Sequence, residues 1–190
     1  MNFTVFVACD FARNGPYRTI TDAVAACSES DSKVYPILSN TNNKALLEAF
    51  GEANPDIQSG LLFSKKLAVK IRTLIKNCDF AIFDLSGYKD MELPANDAPL
   101  DGLEKRYCLN VIHEFGIATA FADEAMRRDS RFFFRKGLTP IEDISNLQGD
   151  LPLTYDPYKS FAHLKEQLEN NLAPLIWQGR NAAKTPPTAP

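Results

Sequence analysis

The sequence predicts an α/β fold: an open parallel sheet with helices on both faces, in a single domain over residues 1–177. Short apolar runs alternate with segments of helical periodicity, which is the pattern of strands joined by crossover helices. The runs FTVFVAC (3–9) and DFAIFDL (79–85) are apolar on both faces, as is typical of strands covered by helices on each side. The last segment, 178–190, is expected to be a disordered tail.

The first strand is predicted to lead into a helix that begins near Pro16, because proline is favoured at the first helical position. Apolar residues then recur at the spacing of one helical face, at Ile20, Ala23, Val24 and Cys27. The run KVYPIL (33–38) contains Pro36, which favours a weak or edge strand. Residues 41–53 are expected to form a short helix with Leu46, Leu47 and Phe50 facing inward.

Ser64 is predicted to cap the next helix. The apolar stripe of that helix consists of Leu67, Ile71, Leu74, Ile75 and Cys78. After the 79–85 strand, residues 87–107 are predicted to be an unusually long polar loop. A helix over 108–127 and a strand over 131–136 follow. Residues 137–157 are expected to be loop-like, and a last helix carries Phe161, Leu164, Leu168, Leu172 and Leu175 inward.

Composition and charge narrow the class of protein. The net charge of -3 argues against a nucleic-acid-binding surface, which usually carries a basic excess. The four cysteines form no CxxC pair, so they predict neither a zinc site nor a disulfide framework, and they favour a reducing compartment. The N-terminus MNFTVFVACDF resembles neither a signal peptide nor a membrane span. We therefore expect a cytoplasmic protein without a membrane partner.

Polar residues are expected to gather at the carboxyl edge of the sheet, where open α/β folds bind ligands. The first strand ends at Asp10, and the 79–85 strand ends in Asp84, followed by Ser86. Asn110 and Glu114 lie one turn apart near the start of the 108–127 helix. We expect these five side chains to converge on a pocket, with Ile117 and Phe121 forming its apolar wall.

Structural roles remain open for the same residues. Glu114 is favoured at a helix start by the macrodipole alone, and Asn110 is a candidate N-cap, although His113 stands where a capping box needs Glu or Gln. Asp84 with Ser86 and Gly87 could form only a turn, and Asp10 could begin another. His113 is expected to face solvent or the 87–107 loop. Cys9 and Cys108 are expected to pack rather than to act as nucleophiles.

Three stretches, FVACDF…PYRTITDAV, IKNCDFAIFDLSG and LNVIHEFGIATAF, resemble the nucleoside 2-deoxyribosyltransferase-like and TIR-like superfamily over most of residues 3–135. In that superfamily a strand ending in Asp-Leu-(Ser/Thr)-Gly leads to an Asn-Val-x-x-Glu-(Leu/Phe)-Gly-x-Ala helix. The stretch DISNLQGDLPLTY resembles the region after the last strand. This chain departs from the pattern because residues 88–109 intervene where the superfamily has only a few. This segment could be a lid, an oligomer contact or the mark of an altered site.

The resemblance implies a flavodoxin-like domain that cleaves N-glycosidic bonds. Glu114 matches the catalytic glutamate, Asp84 and Ser86 match positions that hold the ribose, and Asn110 matches the Asn at the head of the helix. Related bacterial domains consume NAD⁺ or modify nucleotides, often in antiphage defence. Subunit contacts near the active site are common in the superfamily, so we expect a homo-oligomer.

The chemistry fits these residue types. Cleavage of a ribosyl–base bond builds positive charge on the sugar, which a carboxylate can stabilise or attack. Because an apolar surround raises the pKa of a carboxyl, Asn110 or Ser86 is expected to donate a hydrogen bond that keeps Glu114 ionised. Asp84 is expected to accept from sugar hydroxyls. Backbone N–H groups of residues 10–15, together with Arg18, are candidates to hold a phosphate, and Phe11 or Tyr17 to stack on a base.

The leading hypothesis is an N-glycosidase or glycosyltransferase that acts on a nucleoside, a nucleotide or NAD⁺. No cofactor or metal is expected, and NAD⁺ enters only as a candidate substrate. The alternatives are a non-catalytic nucleotide sensor that uses the same pocket, and an assembly protein of the same fold with a vestigial pocket. The sequence does not distinguish hydrolysis from transfer or cyclisation, and it does not identify the base.

Overall fold

A computed structural model of the chain describes residues 2–9, 17–30, 32–84, 86–88, 105–124, 132–135, 154–155, 160, 162–170 and 173–174. The strands are β1 (Phe3–Ala8), β2 (Val34–Ile37), β3 (Phe80–Phe83), β4 (Ser86–Tyr88), β5 (Lys105–Tyr107), β6 (Phe132–Arg135) and β7 (Thr154–Tyr155). The helices are α1 (Tyr17–Ala26), α2 (Asn43–Phe50), α3 (Pro55–Gln58), α4 (Leu67–Asn77), α5 (Leu109–Glu124) and α6 (162–170), with a 3₁₀ turn at Leu61–Phe63.

Five strands form one parallel sheet in the order β2-β1-β3-β6-β7. The predicted α/β class with a parallel sheet is confirmed. β2, which contains Pro36, lies at the edge of this sheet, where a strand can tolerate a residue without an N–H. β4 and β5 pair with each other as a separate antiparallel ribbon, in which Ser86 lies opposite Tyr107.

The core consists of two clusters, one against each face of the sheet. Alternate residues of β1 point to opposite faces, as the pleat requires. Val5 and Val7 pack in one cluster with residues of α1 and α6, whereas Phe6 and Ala8 pack in the other with residues of α2, α3, α4 and α5. The sheet is thus buried on both sides, which explains why β1 and β3 are apolar at almost every position.

Asp79 fixes the register of the two central strands at their amino ends. Its Oδ2 accepts hydrogen bonds from the backbone N–H and the hydroxyl of Thr4, both at 2.8 Å. The backbone N–H of Asp79 donates in turn to the Thr4 carbonyl at 3.0 Å. At the opposite end the Asp84 N–H donates to the Ala8 carbonyl at 2.8 Å. β1 and β3 therefore end side by side at the carboxyl edge.

Helices that connect parallel strands run back against the strand direction, so they begin at the carboxyl edge of the sheet. α4 leads directly into β3, and α5 precedes β6. The helices α4 and α5 pack against each other, and their first turns therefore belong to this edge. Side chains from the first turns of α4 and α5 can therefore meet at the carboxyl edge, beside the ends of β1 and β3.

The helical face predicted for α1 is confirmed, since Ile20, Ala23, Val24 and Cys27 are all buried. Three other expectations need correction. Ser64 does not cap α4, because the helix begins at Leu67 and the Ser64 Oγ instead accepts from the Lys66 N–H at 3.2 Å in a local turn. The ends of the predicted 87–107 loop form the β4–β5 ribbon, and the predicted 137–157 loop contains β7.

The predicted tail, 178–190, lies outside the described residues. Within the described part of the chain, no helix is long and apolar enough to cross a bilayer.

Candidate functional site

A cavity of about 570 Å³ opens at the carboxyl edge of the sheet, between the first turns of α4 and α5. Leu67, Ala68 and Ile71 line it from α4. Asn110, Val111, His113, Glu114 and Ile117 line it from α5. Cys9, Ser39 and Cys108 complete the wall from the segments that follow β1 and β2 and precede α5. The volume lies in the range of small-molecule binding sites.

Glu114 is the only acidic side chain among the described residues that line the cavity. It is only 8% exposed, and burial raises its pKa from 4.5 to about 7. The cause is desolvation, because transferring a carboxylate from water into an apolar site disfavours its charged form. Near neutral pH this carboxyl is therefore divided between its protonated and ionised forms, as in a general acid or base tuned for work at pH 7.

Of the two donors expected for Glu114, Asn110 makes no hydrogen bond to its carboxylate, and the side chain of Ser86 lies outside the described part of the structure. Asn110 is exposed at the start of α5, where it lines the cavity outside the buried stripe of the helix. Desolvation therefore acts on the Glu114 carboxyl without compensation from a donor among the described side chains.

The helical period explains how Glu114 enters an apolar wall. Val111, Phe115 and Ala118 recur at i, i+4 and i+7 and are buried. Glu114 lies three residues after Val111 and four before Ala118, so it falls on the same stripe. The Phe115 ring meets the Phe83 ring of β3 edge to face at 5.3 Å between centroids, which holds the early turns of α5 against the end of β3.

The α4 wall is apolar and its helix start is uncapped. Lys66 occupies the N-cap with extended backbone (φ -80°, ψ 105°) and makes no side-chain capping bond. Leu67 is 60% exposed at the cavity mouth, although the sequence pattern assigned it to the inward stripe. A helix start normally carries Ser, Thr, Asp or Asn as its cap, so a lysine in this position is unusual.

Ser39 lines the cavity, although no pattern in the sequence predicts it there. Its turn is held by two bonds at Thr41, whose Oγ1 accepts from the Leu38 N–H at 2.8 Å and whose N–H donates to the Leu38 carbonyl at 3.0 Å. The Lys70 ammonium donates to the Thr41 carbonyl at 3.0 Å. Burial lowers the pKa of Lys70. The turn is thereby attached to α4, which positions Ser39 on the cavity wall.

Two of the predicted site residues, Asn110 and Glu114, line the cavity together, and Ile117 lies beside them as expected. Asp84 is fully buried and is not among the described residues of the wall. Ser86 lies in the β4–β5 ribbon, where its backbone is described. Asp10 and Phe11 lie outside the described residues, as does the side chain of Phe121.

Tyr17 and Arg18 are at the start of α1 and are not part of the described cavity wall. They contact each other instead: the Arg18 Nε donates to the Tyr17 hydroxyl at 3.0 Å, and the guanidinium lies 5.7 Å from the centre of the Tyr17 ring. Their predicted roles in holding a phosphate and a base therefore gain no support from their position.

Cys9 and Cys108 both line the cavity, Cys9 as a buried residue and Cys108 as a half-buried one. His113 is exposed, as expected, and also lines the cavity. These side chains do not form a metal site: among the described residues, no group of three His, Cys, Asp or Glu side chains is placed to hold an ion.

Comparison of the chain with protein-family models, with curated proteins and with solved structures returns no match. The function of the cavity is therefore argued from its own residues.

Proposed function

We propose that this protein cleaves or transfers the N-glycosidic bond of a nucleoside, a nucleotide or NAD⁺, with Glu114 as the carboxylate that acts on the sugar. One observation carries the proposal: a nearly buried glutamate lines a ligand-sized cavity at the carboxyl edge of a parallel sheet. Perturbed carboxyl groups in such cavities are concentrated at functional sites.

The surroundings of Glu114 suit a reaction that develops positive charge. Departure of a base from a ribosyl ring gives an oxocarbenium-like centre, and a carboxylate in an apolar wall exerts a strong field on that centre. Desolvation disfavours the Glu114 carboxylate in this apolar wall, and a cationic sugar would remove part of that cost. The interaction is therefore stronger in the transition state than in the ground state, which is the condition for catalysis.

Asn110 is the residue best placed to help with substrate, since it lines the same wall one turn before Glu114. Its amide can donate to and accept from sugar hydroxyls. Asp84, which was expected to hold those hydroxyls, is fully buried. The proposal therefore depends on Glu114 and Asn110, and it assigns Asp84 no contact with substrate.

Two further features support the proposal. The strand order of the five-stranded sheet is the 2-1-3-4-5 order of flavodoxin-like domains, counted along this sheet. The stretches 79–87 and 109–121 resemble the nucleoside 2-deoxyribosyltransferase-like and TIR-like superfamily, with Glu114 at the position of its catalytic glutamate. A cytoplasmic location and a homo-oligomeric state remain predictions of the same account.

The second candidate is a nucleotide-binding module that uses the cavity without chemistry. The burial of Asp84 favours it, because the superfamily pattern places a sugar-holding carboxylate there and the described cavity wall lacks it. Binding would then change the conformation or assembly of the chain rather than break a bond.

A panel assay tests both candidates. The wild-type protein is incubated with the common ribonucleosides, deoxyribonucleosides, their 5′-monophosphates and NAD⁺, and the products are identified by mass spectrometry. Release of a free base with a ribose or ribosyl-transfer product supports the proposal, and the product distinguishes hydrolysis from transfer or cyclisation. A ligand that binds, measured by calorimetry, and is recovered intact after long incubation would support the binding module instead.

A further inference from the structure

We infer that the start of α4 binds a phosphate group, so that the ligand of the cavity is a 5′-phosphorylated nucleoside or a dinucleotide rather than a free nucleoside. The inference deepens the proposed function by naming its substrate class, and it rests on that function only for what happens after binding. This phosphate site differs from the one that the sequence predicts at residues 10–15 and Arg18.

The first observation is a row of backbone donors at the cavity. The first backbone hydrogen bond of α4 runs from the Lys70 N–H to the Lys66 carbonyl at 3.0 Å. The N–H groups of Leu67, Ala68 and Val69 precede it, and among the described residues none accepts from them. Leu67 and Ala68 line the cavity. Free N–H groups at the start of an eleven-residue helix, with the positive end of its dipole, form a binding site for anions.

The second observation concerns charge. Lys65 and Lys66 are exposed directly before the helix, where cationic side chains oppose the helix dipole. The Lys66 position is thus unfavourable for the isolated helix and favourable once an anion lies between the lysines and the N–H groups. Ser39, on the neighbouring turn, adds a hydroxyl donor to the same cavity wall.

The third observation is independent of α4. Across the same cavity, Glu114 is more than nine-tenths buried, and among the described residues it has no hydrogen-bond donor. A nearly buried carboxyl that faces a cavity without a donor points to a ligand that supplies one, and the hydroxyls of a sugar would do so. A 5′-phosphorylated sugar has its hydroxyls and its phosphate at different ends, which matches a cavity with an acidic wall on α5 and a donor-rich wall on α4.

The two walls also define the orientation of such a ligand. A phosphate beside Glu114 would be repelled by the carboxylate, whereas at the start of α4 it meets N–H groups and lysines. The sugar is then directed toward Glu114, with the glycosidic bond on the α5 side. A free nucleoside would satisfy Glu114 and leave the start of α4 without an anion.

The test compares ligands that differ only by the phosphate. Calorimetry measures the affinity of the wild-type protein for adenosine, guanosine, cytidine, uridine and thymidine, for the 5′-monophosphate of each, for NAD⁺ and for inorganic phosphate. We expect at least one monophosphate, or NAD⁺, to bind roughly tenfold or more tightly than the matching nucleoside, since charge-assisted hydrogen bonds to phosphate are strong. Equal affinities within every pair, or no binding by any phosphorylated compound at millimolar concentration, would overturn the inference. Tight binding of NAD⁺ together with weak binding of the monophosphates would indicate that the ligand is a dinucleotide.

Lys66→Asp separates ligand binding from helix stability. Aspartate is a favourable N-cap, so the thermal midpoint of the variant should rise, while the affinity for the phosphorylated ligand should fall roughly tenfold and that for the nucleoside should stay constant. Lys76→Asp makes the same change of charge at the exposed last turn of α4, and it should leave the ratio of the two affinities as in wild type. A ratio that falls equally in both variants, or in neither, would contradict the site.

Leu67→Pro and Leu67→Ala test the backbone donors directly. Proline is tolerated at the first helical position, and the extended backbone of Lys66 suits a residue that precedes proline. Both variants lose the leucine side chain, but only Leu67→Pro loses the N–H. A lower phosphate-dependent affinity in Leu67→Pro than in Leu67→Ala is expected, and equal values would contradict the role of this N–H.

The outcomes keep this inference distinct from the proposed function. Tight, phosphate-dependent binding without base release would uphold the phosphate site and reject N-glycosidic cleavage. Base release from a nucleoside and its 5′-monophosphate with equal kcat/KM would uphold cleavage and reject the phosphate site.

Discussion

Replacing Glu114 by Gln is expected to stabilise the protein at alkaline pH, because it removes a carboxylate whose ionised form is disfavoured by burial. In the folded chain the pKa of Glu114 is about 7, above its ordinary value of 4.5, so the folded state binds this proton more tightly than the unfolded state. The contribution of Glu114 to stability is therefore fully present below pH 4.5 and is lost as the pH rises through about 7.

The magnitude follows from the size of the pKa change. At about 1.36 kcal/mol per pH unit, ionisation of Glu114 lowers the free energy of unfolding by about 3 kcal/mol at pH 8, and by about 1 kcal/mol at pH 5. The neutral amide of Glu114→Gln does not ionise. The variant should therefore exceed wild type by about 3 kcal/mol at pH 8 and by about 1 kcal/mol at pH 5, less any cost of a different hydrogen-bonding pattern.

Urea unfolding at both pH values, followed by circular dichroism, measures this difference. Glu166→Gln, which changes an exposed glutamate of α6 by the same atoms, is the matched control and should be neutral at both. A gain for Glu114→Gln that does not depend on pH would refute the reasoning, because it would mean that the carboxylate is not desolvated in the folded state. Such a gain in stability on replacing a functional residue is common, because groups needed for activity often lower the stability of the folded state.

Three further predictions follow from the same structure. If the ionised Glu114 acts on the sugar, kcat/KM for base release rises with pH up to about 7 and levels off above it, whereas a fall through pH 7 would mean that the protonated form acts. Lys66→Asp is expected to raise the free energy of unfolding by about 1 kcal/mol in urea titrations, and no gain would show that the start of α4 is already capped. Asp79→Ala removes the acceptor of two hydrogen bonds from Thr4 and should cost about 2 kcal/mol, with Asp79→Asn losing less; equal stability of all three proteins would show that the bonds do not hold β1 to β3.

The long elements of the fold could be predicted because each has a strong apolar pattern. β1 and β3 are apolar at almost every position and buried on both faces, and the 3.6-residue period of α1 identified its buried face residue by residue. The short strands could not be predicted. β7 has two residues, and β4 and β5 meet across sixteen intervening positions, so no local period marks either.

Of the two walls of the cavity, the sequence predicted the one on α5 but not the one on α4. Glu114 stood out because a carboxylate interrupts the apolar stripe of α5. The α4 wall could not be recognised from the sequence, because an apolar cavity wall has the same residue pattern as a core. Its residues Leu67, Ala68 and Ile71 have the spacing of a core-facing stripe. No sequence pattern marks Ser39, because its place depends on the bond from Lys70 to the Thr41 carbonyl, which joins residues 29 positions apart.

Asp84 illustrates a different limit. Its position at the carboxyl end of β3 could be predicted from the strand pattern. Its depth could not, because strand order gives the edge of the sheet and not how deeply a side chain is buried, and Asp84 is fully buried outside the described cavity wall. Likewise, the hydrogen bond expected from Asn110 to Glu114 assumed that residues one turn apart must meet. Asn110 is exposed at the helix start, whereas Glu114 is nearly buried, and the described structure shows no bond between them.

The most direct test of the central claim is the rate of base release by wild type, Glu114→Gln and Glu166→Gln under identical conditions, with the products followed by mass spectrometry. The account predicts that wild type and Glu166→Gln release base at similar rates, and that Glu114→Gln loses roughly a hundredfold or more, the usual effect of removing a catalytic charge. Base release by Glu114→Gln at the wild-type rate would contradict the account.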